Sequence, residues 1–176
     1  HISWIVARQT IPRSYMTSPH VRQADKGFDG FIIELDGSLK QIERIVLCED
    51  KASEKPRALI NASVWPEIKS ILRGDRDDEI LADLTTLLKS VPGIDAENAV
   101  DDIFWEESRH FRVAVATGEN RRKAESFVHI VEGFDEVVTG PAEKRVAGVL
   151  PFNDVRQGLA LLAQEVIAKV KEIAGV

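Results

Sequence analysis

Cysteine is nearly absent from this chain of 176 residues: Cys48 stands alone. That excludes an internal disulfide and a cysteine-based structural zinc site, and it fits a reducing, cytoplasmic setting. Long apolar runs are missing too. Val146–Leu150 and Leu159–Ala163 are among the longest, and both are far too short to cross a bilayer, so no membrane association is expected. No charged head followed by an apolar stretch opens the chain, so no signal peptide is visible. Internal repeats and low-complexity tracts are lacking as well. Positive charge is in short supply, with 23 Lys and Arg against 29 Asp and Glu, a net charge of −6. Phosphate contacts need cations, so this balance argues against a chain that grips nucleic acid strongly by itself.

What is present is the composition of a soluble globular protein, 44% hydrophobic and 30% charged, and the length suits one domain over residues 1–176. The cations are clustered. Arg8, Arg13, Arg22 and Lys26 precede Asp29 with only Asp25 against them, and Arg121-Arg122-Lys123 and Lys144-Arg145 follow later. The acids gather in Asp75–Glu79 and Asp95–Glu107. Weak or assisted nucleic-acid binding is the expectation.

Patterning predicts an α/β fold with a mixed central sheet flanked by helices. A short strand is predicted near Ser3–Arg8, then a strand pair over 28–35 and 43–52 joined by a turn at Asp36-Gly37. Pro56 suits the first turn of a helix that Pro66 should kink or divide and Gly74 should close. Ile80, Leu84, Leu87 and Val91 follow helical spacing after Asp75 or Asp77, and Asp95 is the predicted cap of a shorter helix through Trp105. Buried strands are predicted at Phe111–Thr117 and Arg145–Pro151, a helix at Arg121–Ile130, and a short strand at Glu136–Thr139. Asn153 is the predicted cap of a final helix with the apolar stripe Val155, Leu159, Leu162, Val166, Val170 and Ile173.

The residues that carry chemistry lie on the first strand pair. Side chains alternate along a strand, so Glu49 and Lys51 share a face and Asp50 takes the other. Folding back antiparallel brings Asp29 beside Glu49. Two carboxylates and an ammonium then converge, a set suited to Mg²⁺ or Mn²⁺ and to orienting a water or a phosphate oxygen. An acid on one strand, a hairpin, Glu-x-Lys on the next strand and a helix after it resemble the PD-(D/E)xK nuclease superfamily. Here the pattern reads Phe28-Asp29, nineteen intervening residues, then Glu49-Asp50-Lys51. Phe28 stands where the family pattern has proline.

The resemblance covers residues 28–60 and implies a restriction endonuclease-like core and a nuclease hydrolysing phosphodiester bonds, DNA first, in the manner of nucleases of DNA repair or antiviral defence systems. It places the metal on Asp29, Glu49 and the backbone carbonyl of Asp50, and it makes Lys51 the residue that positions the nucleophile. Upstream and helical positions used by some members fall on His20, Arg57 and Asn61, and Arg121 and Arg122 are candidate backbone contacts. A non-catalytic nuclease-like subunit, serving assembly or specificity in a larger complex, is the alternative that the acidic balance favours. Either way a homodimer, or a DNA-binding or helicase-like partner subunit, is expected to supply missing positive surface. Bland explanations suffice elsewhere. Cys48 reads as packing, Asp75–Glu79 as acids at a helix N-terminus, His110 and His129 as structural, and Trp4, Trp65 and Trp105 as core or interface anchors.

Overall fold

The computed structural model describes residues 2–11, 14–17, 29–36, 41–101, 108–118 and 123–175. Five strands form one mixed sheet in the order β1-β2-β3-β4-β5, with β1 Ser14–Met16, β2 Gly30–Leu35, β3 Ile42–Ala52, β4 Arg109–Gly118 and β5 Arg145–Phe152. The β1–β2 and β2–β3 pairs are antiparallel, whereas β3, β4 and β5 are mutually parallel. Parallel neighbours need a crossover, and helices supply it. Between β3 and β4 lie α2 (Pro56–Leu59), α3 (Trp65–Leu72), α4 (Asp77–Leu88) and α5 (Ala96–Asp101). Between β4 and β5 lie α6 (Ala124–Ile130) and α7 (Phe134–Val137). The result is an α/β architecture with a mixed sheet, as the patterning predicted.

Period-two alternation sorts the strands into two faces. Phe31, Ile33, Ile45, Leu47, Phe111, Val113 and Val115 build the main core against Ile68 and Ile71 of α3 and Ile80, Leu84 and Leu88 of α4. The other face is thinner, with Ile32, Val46 and Cys48 under Ala7. Pro66 does divide its helix. It has no N–H to give, and the chain passes through a π-helical turn at Ile60–Val64, where the Trp65 amide donates to the Ile60 carbonyl five residues back. Gly74 (φ 84°) then ends α3 in the left-handed conformation that glycine tolerates.

Several expectations fail. Ser3–Arg8 lies within a helix, α1 (Ile2–Thr10), because Trp4, Ala7 and Ile11 recur at helical spacing. Ala7 packs onto the sheet and the Trp4 indole donates to the Thr17 carbonyl at 2.9 Å. Glu136–Thr139 is not a strand. Its first residues belong to α7, which forms because Phe134 stacks on Trp65 at 5.0 Å. β5 is an outer strand rather than a buried one, leaving Val146 and Leu150 exposed. The last helix, α8 (Val155–Ala174), is capped by Asp154, not Asn153: the Gln157 amide donates to Asp154 Oδ1 at 2.7 Å. Trp105 lies outside the described residues.

Candidate active site

The β2–β3 register pairs Gly30 with Cys48 and Phe31 with Leu47, which sets Asp29, one step further out, opposite Glu49. Directly opposed residues of an antiparallel pair share a face. The Asp50 amide donates to Asp29 Oδ2 at 2.7 Å, so the aspartate side chain extends the ladder beyond the last paired residue and is fixed against β3. Lys51 then bridges the two acids. Its Nζ contacts Glu49 Oε1 directly and lies 3.7 Å from Asp29 Oδ2. The structure thus brings Asp29, Glu49 and Lys51 together at one end of the sheet.

Depth differs across the cluster. The apolar run Ile45–Leu47 carries Glu49 into the sheet, where it is only 5% exposed, whereas Asp29 is open to solvent and Lys51 is intermediate. Burial pushes the Glu49 carboxyl up from 4.5 to about 7, against the hydrogen bond and charge of Lys51, with Asp29 and Glu67 adding to the rise. For Lys51, burial alone would lower the ammonium pKa. The hydrogen bond that Lys51 donates to Glu49 and the charges of Glu49, Asp29 and Glu67 outweigh it and raise the value.

Glu67 on α3 was not singled out from the sequence. It binds Arg76 at 2.9 Å and still projects negative potential onto Glu49 and Lys51. Arg112 was also missed. It sits among buried residues of β4, pairs in register with Cys48, and lies 3.7 Å from Asp50 Oδ1 on the face away from Glu49. An arginine between Phe111 and Val113 on an apolar strand was the available signal, because such a cation needs an acid partner. Asp50 thus turns its carboxylate to Arg112 and keeps its backbone beside Asp29.

The other candidates are placed as follows. Arg57 on α2 donates to the Glu132 carbonyl and lies 3.9 Å from the Glu132 carboxylate, a tie between α2 and the turn after α6. Asn61 is exposed on the π-helical turn. His20, Arg121 and Arg122 lie outside the described residues. Cys48 is buried and its thiol is pushed up to about 12 by burial, which makes it a poor nucleophile. His110 holds the Ser108 carbonyl at 2.9 Å, and burial lowers its pKa. Asp75 is occupied by Ser70 and Arg73, at 2.9 and 2.7 Å.

A groove of about 390 Å³ lies next to the cluster on the opposite face of the sheet, reached by Asp50 and Arg112 at one end and floored by Ala114, Ala116 and Gly148. Its lining is mostly apolar, and Lys51 contributes to it as well as to the charged cluster. Among the described residues, no three His, Cys, Asp or Glu side chains are grouped to hold a metal ion. No helix among them is long and apolar enough to cross a membrane. No protein-family model matches the chain, and neither a curated protein nor a solved structure matches it.

Proposed function

We propose that this chain is a metal-dependent phosphodiesterase of the PD-(D/E)xK type, with a restriction endonuclease-like core and nucleic acid, DNA first, as its substrate. One observation carries the reading. Two carboxylates from adjacent, register-opposed strands converge on a single lysine at the end of an apolar run.

The donor set fits Mg²⁺ or Mn²⁺. Mg²⁺ is commonly held by one or two carboxylates, with waters and substrate phosphate oxygens completing its shell, rather than by an all-protein cage. Asp29, Glu49 and the Asp50 carbonyl would hold it. A buried carboxylate with its pKa near neutrality is also one that a cation relieves. When bound, the ion would neutralise phosphate charge and acidify water. Glu49 would bind the ion as the carboxylate, any proton it holds passing to solvent, and Lys51, relieved of part of its pairing, would hold a water or phosphate oxygen by its ammonium. Asp29 stays anchored by the Asp50 amide, so the site loses little freedom on binding substrate.

The test is incubation of supercoiled plasmid, and separately of single-stranded RNA, with the purified chain in Mg²⁺, in Mn²⁺ and in EDTA. Metal-dependent nicking or cleavage is expected. A chain that binds nucleic acid or a partner but cuts neither substrate with either metal would favour the non-catalytic, nuclease-like subunit, the reading that the net charge of −6 supports.

A further inference from the structure

We infer that Arg112 is a positioning residue for the acid–lysine cluster, holding Asp29 in place through the carboxylate and backbone of Asp50. The inference rests on the metal-site reading of that cluster. β2 ends at Gly30, opposite Cys48, so beyond that point β3 keeps a strand partner only on its β4 side. Along a strand, the N–H and C=O of one residue leave on the same side. The Asp50 N–H goes to Asp29 Oδ2 at 2.7 Å, so the Asp50 carbonyl also faces that open edge. Both groups that the site takes from Asp50 therefore lie outside the ladder to β4. The side chain of Asp50 is what remains to set their direction.

Arg112 holds that side chain. It leaves β4 on the face of Cys48, its register partner, and lies 3.7 Å from Asp50 Oδ1, two residues further along β3. Asp29, Gly30, Cys48, Asp50 and Arg112 line one crevice of about 20 Å³, room for little more than a single water. Anchor, aspartate and arginine are thus packed as one unit. With its side chain 11% exposed, Arg112 offers little of itself to a ligand in the neighbouring groove.

Folding stability does not account for an arginine at this place. Apart from Asp29 and Asp50 the crevice is largely apolar, with Ala7, Ile32 and Cys48 among the residues that line it. A buried ion pair is commonly no more stable than apolar side chains of similar volume, whereas losing one member strands the other charge. A pair placed on the residue whose backbone grips Asp29 is accounted for by the direction it gives that backbone. The two charges also cancel, so removing both together leaves the net charge beside the cluster unchanged. Arg112→Met combined with Asp50→Asn therefore alters geometry and not net charge.

That double variant of the 176-residue chain tests it, beside wild type and Arg112→Lys, at a temperature below the melting of each. In EDTA, the protection factor of the residue-50 amide against hydrogen exchange, read by NMR, is expected to fall about tenfold in the double variant, with the rest of β3 unchanged. Mn²⁺ affinity, read by electron paramagnetic resonance of the free ion, should weaken about tenfold or more, the size usual for groups that orient metal ligands. Arg112→Lys keeps an ion pair and should stay close to wild type in both, a rescue that a merely structural role would not give. A double variant equal to wild type in either measurement would overturn the inference and leave the metal site standing. A wild type that binds no Mn²⁺ would instead overturn the metal-site reading, and the role of Arg112 with it.

Discussion

At Glu49 burial and charge oppose each other most strongly. The carboxyl is raised from 4.5 to about 7 because the sheet desolvates it more than Lys51 compensates. A group whose pKa is higher in the folded state favours the fold when protonated. Its contribution is complete below the ordinary carboxylate range and is lost as pH rises towards about 7. The full shift corresponds to an order of about 3 kcal/mol. Metal-free protein in EDTA should therefore lose stability between about pH 5 and about pH 8 by more than Glu49→Gln does, the difference being read by thermal denaturation across that range. Identical slopes for the two proteins would show that Glu49 is not desolvated. Mn²⁺ should raise the melting temperature of the wild type at alkaline pH and leave Asp29→Asn unmoved, since an amide replaces a charged ligand. The convergence of Asp29, Glu49 and Lys51 was legible because it needs only period-two alternation and a hairpin count. The Arg112–Asp50 pair and the influence of Glu67 were not. Both depend on how β4 and α3 dock beside β3 across a crossover more than fifty residues long, which no local pattern sets.

Among the elements, β2, β3, α4 and β4 were readable because each presents one clean period over a continuous segment. The failures occur where tertiary contact decides. Ser3–Arg8 reads as strand by its Ile and Val content and lies within the helix Ile2–Thr10 because Trp4 and Ala7, three residues apart, both find partners. Phe134 similarly commits α7 by stacking on Trp65. The junction of β5 and α8 offers a direct check on packing. A Cβ on Gly158 would come within 2.3 Å of the Phe152 ring and 2.9 Å of its Cβ. Gly158→Ala should destabilise by about 1–3 kcal/mol despite the better helix propensity of alanine. The loss should shrink, without vanishing, when Phe152→Ala is combined with it, because the ring contacts go while the Cβ of residue 152 stays at 2.9 Å, a coupling that a double-mutant cycle by urea denaturation measures. An additive cycle would mean that α8 leaves the sheet by another route.

Across the whole molecule, charge and site geometry pull in different directions. An acidic chain of net −6 carries a cluster suited to meeting phosphate only with a cation in place. Affinity of the isolated chain for a short duplex should accordingly be weak, fall steeply with salt and improve with Mn²⁺, as fluorescence anisotropy would show. Nanomolar, metal-independent binding would mean that the basic clusters converge on one surface. The central claim is that Asp29, Glu49 and Lys51 form a single phosphodiester-cleaving site, and Lys51 is the member whose removal isolates chemistry. It is only partly buried, so Lys51→Ala should still fold, melting close to the wild type below about pH 7 and lower above it, where Glu49 loses its ion-pair partner. The decisive measurement is the rate of plasmid nicking at saturating Mn²⁺ for wild type against Lys51→Ala. A loss of about a hundredfold or more is expected, in line with removal of a group that positions or protonates a reacting atom. Equal nicking by the two proteins would contradict the account and place the activity elsewhere.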